Sequence, residues 1–252
     1  EADIKNFRDR ALSPERPVTR GTAENPETFF THREASNSHY DAIPEVVEHY
    51  LGEISKITGR EYHLFSYYGA EDAENIIILM GSATEAAREA IDHLTSEGKK
   101  VGMISVHLYR PFSVKHLFAA VPKTVKKIAV LDRTKEPGAE GEPLYLDVKS
   151  AFYDQENRPV IVGGRYGLGS SDITPAKIIS VYNNLELPEP KNHFTVGIVD
   201  DVTFTSLPAV EEMALGGKSI YEAKFFGLGA DGTVGANKNS VKIIGDNTNK
   251  HC

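Results

Sequence analysis

The chain has 252 residues, 40% of them hydrophobic, and a formal net charge of −8, so it can bury a real core and is acidic overall. Without a basic patch the charge excludes a nucleic-acid surface, and no apolar run approaches the roughly 20 residues that cross a bilayer. A single cysteine, Cys252, excludes an internal disulfide and any iron–sulfur cluster held by this chain alone.

The start, Glu1-Ala-Asp-Ile-Lys5, has neither the basic residues nor the apolar core of a signal peptide. Nothing marks the chain for export, and a cytoplasmic location is expected. Residues 1–40 are poor in periodic hydrophobicity, with Pro14, Pro17 and Pro26 breaking any long element, which predicts an ordered tail or linker. From Ile43 the apolar positions Val46, Val47, Tyr50, Leu51, Ile54 and Ile57 fall three and four apart along one helix that Gly59 can close. The aromatic stretch Tyr62 to Gly69 and the charged turn Glu71 to Glu74 then mark a domain boundary.

Strands and helices alternate from there. Asn75 to Met80 is an apolar run; Ser82 or Thr84 can cap a helix carrying Ala87, Ala90, Ile91 and Leu94, and Gly98 stops it. Val101 to Val106 and Ile128 to Leu131 are further strands, with a short helix from Ser113 between them. After the loop Arg133 to Glu142 come a helix from Leu144 to Tyr153, a strand Val160 to Val162, and a last helix opened by Thr174 and Pro175. Four apolar runs alternating with helical stripes predict a doubly wound parallel α/β sheet. Phe194 to Val199 reads as one more strand, and Ile220 to Phe226 as another that belongs to a following domain.

That last strand enters the richest motif of the chain. Gly227, Gly229 and Gly232 give the spacing G-x-G-x-x-G, followed by Thr233, Gly235, Asn237 and Lys238. Glycines let a phosphate approach the amides, and the free N–H groups of a following helix favour negative charge. The loop therefore reads as an anion cradle in which Thr233 offers a hydroxyl and Lys238 a cation; the alternative is a turn that is glycine-rich for packing alone. The chain stops at Cys252, before the second strand a nucleotide fold needs, which suggests a segment cut just inside a domain.

Elsewhere, loops after parallel strands present Arg110, Arg133, Lys135 and Arg165, either as a cationic rim or as separate solvated and cap-bonding residues. Asp200 and Asp201 read as turn caps rather than metal ligands. The nine histidines form no zinc-helix pair, no nucleophile has an arguable base, and Ser170-Ser171-Asp172 lacks a hydrolase elbow, so no catalytic residue is assigned.

Several strings carry a resemblance: Arg20-Gly-Thr-Ala-Glu-Asn-Pro26, Leu108-Tyr-Arg-Pro-Phe112, Val130-Leu-Asp-Arg-Thr-Lys-Glu-Pro-Gly138, Ile161-Val-Gly-Gly-Arg-Tyr-Gly-Leu-Gly169, Phe194-Thr-Val-Gly-Ile-Val-Asp-Asp201 and Gly227 through Lys238. In this order they resemble single-chain pyruvate:ferredoxin (flavodoxin) oxidoreductases. The resemblance implies that residues 1–66 end an N-terminal thiamine-side domain, that residues 67–218 form a domain similar to the C-terminal domain of transketolases, and that residues 219–252 begin a third domain that binds coenzyme A. It further implies a homodimeric parent that uses thiamine diphosphate, Mg2+ and iron–sulfur clusters to turn pyruvate and coenzyme A into acetyl-CoA and CO2, reducing ferredoxin or flavodoxin. The thiamine-contacting, pyruvate-binding and cluster-ligating residues of the family lie outside these residues, so the chain alone is expected to be inactive. On this resemblance the candidate coenzyme A residues are Gly227, Gly229, Asp231, Gly232, Thr233, Gly235, Asn237 and Lys238. A free-standing nucleotide-binding module and a non-catalytic interaction domain are the competing readings.

Overall fold

The apolar run at 75–80 becomes the strand around which the sheet is built. In the computed structural model, which describes residues 1–18, 21, 23–212 and 223–250, the chain divides into two compact units, 1–210 and 211–252. The first unit opens with three helices, α1 (Ala2–Asp9), α2 (Pro26–Ala35) and α3 (Asn37–Thr58). The expected tail thus contains two short helices. Pro14 and Pro17 do fall in the break between them, but Pro26 is the first residue of α2, where its missing N–H costs nothing. Helix α3 starts six residues before Ile43 and carries Pro44 inside it, and Gly59 ends it at φ 70°.

The sheet follows in the order β1-β3-β2-β4-β5-β6, with β1 Phe65–Gly69, β2 Asn75–Leu79, β3 Val101–Val106, β4 Lys127–Asp132, β5 Val160–Arg165 and β6 Phe194–Thr195. Strands β2 to β5 pair in parallel, as expected; β1 runs antiparallel along the edge of β3, with Ser66 opposite Ser105. The predicted strand Phe194 to Val199 shrinks to two residues. Past Val196 the chain bends into a turn in which the Asp200 carboxylate accepts from the amides of Val202, Thr203 and Thr205. Hydrogen bonds to both hydroxyls and amides of Thr203 and Thr205 hold that carboxyl far below the usual range.

Alternation along the strands divides the apolar residues between two faces. Ile76, Ile78, Ile104, Val106, Ile128 and Val130 pack with Leu117, Leu144, Tyr145 and Val148 on one face, where Val47 and Leu51 of α3 also lean. Ile77, Leu79, Met103, Ser105, Ala129 and Leu131 alternate to the other face, which α4 (Ala83–Ser96) and α7 (Pro175–Glu186) cover. Each fully buried Ile or Leu contributes about 1.5–3 kcal/mol, so the runs that look fully buried in sequence anchor the fold. Helices α5 (Val114–Ala120) and α6 (Pro143–Ala151) complete the crossovers, and the Thr174 side chain caps α7 by accepting from the Lys177 amide at 3.4 Å.

The second unit holds α8 (Thr233–Asn247), and the glycine loop precedes it. The strand expected at Ile220 to Phe226 is not formed by its described residues: 223–226 have no strand pairing, and 220–222 lie outside the described residues.

Candidate functional site

Two places gather the functional side chains: the carboxyl edge of the parallel sheet in the first unit, and the glycine loop in the second. At the sheet edge, Asp132 ends β4 and its two carboxylate oxygens accept from the amides of Leu144 and Tyr145, each at 3.0 Å. It thereby satisfies the first turn of α6 from eleven residues upstream. Asp132 is 4% exposed, and burial raises its carboxyl above the usual range although both amides oppose this. Beside it, Arg165 at the end of β5 is buried and pairs with Glu142 at 3.3 Å, while its other nitrogen donates to the His193 carbonyl at 2.9 Å. The second carboxylate oxygen of Glu142 is buried with no hydrogen-bond partner among the described residues.

The four loop cations do not converge. Arg110 pairs with Asp147 at 2.7 Å and lies 3.9 Å from the centre of the Tyr109 ring, and the Tyr109 hydroxyl donates to the same carboxylate. Burial first, then that hydrogen bond, pushes the Tyr109 hydroxyl up to about 12. Arg133 donates to the Gly167 carbonyl at 2.9 Å, and Arg165 belongs to Glu142. Arg165 is the buried one of the four; Arg110 and Arg133 are exposed but each is held by a protein partner, and Lys135 is exposed with no hydrogen bond or ion pair among the described residues. Gly163 and Gly164 serve packing, because a Cβ at 163 would lie 2.8 Å from the Tyr145 ring and one at 164 would collide with Phe194.

Sequence reasoning missed Glu142 and Asn192, the latter accepting from the Gly163 amide at 2.8 Å and donating to the Tyr145 hydroxyl at 3.1 Å. A polar residue in a long loop carries no periodic signal; its partner is decided by how the loop returns. The Asp132 cap was closer to legible, since an acid at the carboxyl end of an apolar strand often reaches a following helix start.

In the glycine loop, Asp231 is the organising residue. Its carboxylate accepts from the Leu228 amide at 2.7 Å, from the Thr233 amide at 3.0 Å and from the Thr233 hydroxyl at 2.6 Å. These bonds hold its carboxyl down at about 2. Gly229 and Gly232 have φ of 115° and 87°, a region that side chains with a Cβ rarely adopt. A Cβ on Gly227 would lie 2.8 Å from the Thr233 hydroxyl, so a third glycine lets the turn close on Asp231. Gly235 meets nothing within 4 Å and needs no glycine for space.

The predicted residues fall into two sets. Gly227, Asp231, Gly232 and Thr233 come together at the start of α8, and Asn237 lies one turn further on the Thr233 face. Lys238 is exposed, about 7.5 Å of rise and about 140° around the helix from Thr233, and makes no hydrogen bond or ion pair among the described residues. Chemically, the arrangement offers two amides and one hydroxyl to an oxyanion, and a carboxylate already accepts all three. No three His, Cys, Asp or Glu side chains among the described residues converge to hold a metal.

The family model and the curated relatives point to one family. The family described as pyruvate:ferredoxin oxidoreductase core domain II matches residues 73–178. A pyruvate-flavodoxin oxidoreductase of Enterobacter agglomerans is 58% identical over 249 residues, 98% of this chain and 21% of its own length. A pyruvate:ferredoxin oxidoreductase of Moorella thermoacetica is 52% identical over 248 residues, again 98% of this chain and 21% of its own length. A 2-oxoglutarate:ferredoxin oxidoreductase from Magnetococcus marinus, solved with 2-oxoglutarate, coenzyme A and succinyl-CoA bound, aligns over 65% of this chain and 24% of its own at 21% identity, with a TM-score of 0.42. The chain spans about a fifth of the length of the curated relatives it matches. With more than half of its residues identical to these relatives from end to end, the chain belongs to the pyruvate:ferredoxin (flavodoxin) oxidoreductase family, as a segment that includes core domain II.

Proposed function

We propose that the chain is the scaffold, and supplies part of the coenzyme A site, of an enzyme that converts pyruvate and coenzyme A to acetyl-CoA and CO2 with two electrons passing to ferredoxin or flavodoxin. In this reading residues 1–66 close a thiamine-side domain, 67–218 form the transketolase-like domain, and 219–252 open the domain that receives coenzyme A. The parent works in the cytoplasm and pairs as a homodimer. An iron–sulfur cluster does not fit the residues present, because a cluster takes several thiolates and the chain has one cysteine. In this reading the clusters, with thiamine diphosphate and Mg2+, belong to other parts of the parent.

The observation that carries the coenzyme A assignment is the convergence of the Leu228 amide, the Thr233 amide and the Thr233 hydroxyl on one anionic group. Here that group is the Asp231 carboxylate, which stands where a phosphate oxygen would sit. For a phosphate to bind, Asp231 must turn away, and the Lys238 side chain must reach back along α8 from about 140° around the helix to supply the opposing charge. Replacing Lys238 by Ala in the full-length parent should weaken coenzyme A about tenfold to a hundredfold, the loss of one charge-assisted contact, and leave pyruvate binding unchanged. The loss should shrink at high salt. Unchanged coenzyme A affinity in a normally folded Lys238→Ala variant removes the lysine from the site. The isolated chain should neither decarboxylate pyruvate nor reduce a viologen dye; turnover above a heat-killed control overturns the scaffold reading.

A further inference from the structure

A second polar site lies wholly within the first unit, on the α4 face of the sheet. A cleft of about 560 Å³ opens between the start of β1, the carboxyl end of β3 and the first turns of α4, lined among others by Arg60, Ser66, Tyr68, Glu85, Arg88 and Ser105. Its floor is Ser105. This serine is only 3% exposed, yet its hydroxyl has no hydrogen-bond partner among the described residues, and it faces the cleft. Its oxygen is open to the cleft rather than sealed from solvent, since Glu142 supplies the one buried side-chain atom without a partner among the described residues. A ligand that enters the cleft can therefore take it as a partner.

The neighbouring side chains show which chemistry is left over. Most are already bound to protein: the Tyr68 hydroxyl donates to Asp92, the Thr84 hydroxyl to the Gly81 carbonyl, and the Ser66 hydroxyl accepts from the His63 amide. His107 donates its Nδ1 hydrogen to the His63 carbonyl at 2.7 Å, so its other nitrogen is the one left for the rim. Arg88 is different. Its guanidinium lies 4.4 Å from the centre of the Tyr68 ring and has no carboxylate partner among the described residues. It is half-buried, whereas the two carboxylates of the lining, Glu61 and Glu85, and the second guanidinium, Arg60, are exposed at the rim. The cleft is therefore lined by one cation without a carboxylate partner, packed on an aromatic ring, and one hydroxyl without a protein partner among the described residues. The stacked guanidinium keeps its planar fork of donors free, which suits a carboxylate better than a tetrahedral anion.

We propose that this cleft binds a small organic carboxylate, its two oxygens on the Arg88 guanidinium and the Ser105 hydroxyl. Calorimetric titration of the 252-residue chain with sodium acetate, with inorganic phosphate as the tetrahedral control, tests it. Acetate should bind saturably and more tightly than phosphate. Arg88→Gln should weaken acetate at least tenfold, and Ser105→Ala about threefold to tenfold. Ser105→Ala breaks no hydrogen bond among the described residues, so its melting temperature without acetate should stay or rise, which separates lost affinity from lost folding. The same titrations in the full-length parent should give the same order. No saturable acetate binding, binding that survives both substitutions, tighter binding of phosphate, or a site present in the chain but closed in the parent would each overturn the proposal.

Discussion

Asp132 and Asp231 do the same job in opposite surroundings. Each places a carboxylate on two backbone amides, those of Leu144 and Tyr145 in one case and of Leu228 and Thr233 in the other, at a helix start. Yet burial raises Asp132, whereas the hydrogen bonds of Asp231, the strongest from the Thr233 hydroxyl, hold it at about 2. The geometry of a cap therefore does not set the sign of its shift. Desolvation does, because the ionised carboxylate loses water at the sheet edge and keeps it in the exposed loop. The first cap is built into the core; the second covers donors that an external anion can take over.

The largest expected effect breaks the buried side of this comparison. Arg165→Met should destabilise the first unit by about 3–5 kcal/mol in urea unfolding, because it leaves Glu142, one of whose oxygens is already unpaired, as a buried charge without a partner. Adding Glu142→Gln should recover much of that loss; a single variant as stable as the parent chain shows that solvent reaches the pair. Next, Asp132→Ala should cost about 2 kcal/mol, since two buried amides lose their acceptor while a desolvated carboxylate is removed.

The pH dependence sharpens the comparison further. For Asp132 the folded pKa lies above the unfolded value of 3.8, so its stabilising contribution is fully present below 3.8 and falls as pH rises through the folded pKa. For Asp231 the sign reverses: the contribution is present above 3.8 and is lost as pH falls towards about 2. Denaturation of Asp132→Ala followed by fluorescence, and helicity of α8 in Asp231→Ala followed by amide NMR, should show penalties that change with pH in opposite directions. Parallel changes would mean that burial does not distinguish the two caps. The smallest effect concerns ligand: Asp231→Asn removes a competing charge and should tighten coenzyme A in the full-length parent by up to about fivefold, the scale of one exposed charge interaction. Weaker binding would make Asp231 a positive determinant of the site.

Much of the sheet was legible because burial writes itself into composition. Ile76, Ile77, Ile78 and Leu79 are all buried, and a strand covered on both faces has no polar alternation to hide it. The start of α7 was equally plain, since Thr174 and Pro175 form a local cap whose partners lie within three residues. Local chemistry also predicted the glycine turn, and two of its three spaced glycines, Gly229 and Gly232, have a positive φ. It did not show that Asp231, two residues before Thr233, takes both the amide and the hydroxyl that were read as open to a phosphate.

What the amino-acid sequence determined by itself was the alternation of strands and helices, the parallel pairing of β2 to β5, and the family. These depend on periodicity, on short-range capping and on strings of identical residues. Only the tertiary structure decided the fate of the charges: that Arg165 is spent on Glu142, that Arg110 is spent on Asp147, and that Arg88 keeps no carboxylate among the described residues. Glu142 lies 23 residues from Arg165 and Asp147 lies 37 from Arg110. A charge is specified by its partner and by its distance from water, and both depend on where the folded chain brings residues that are far apart in sequence.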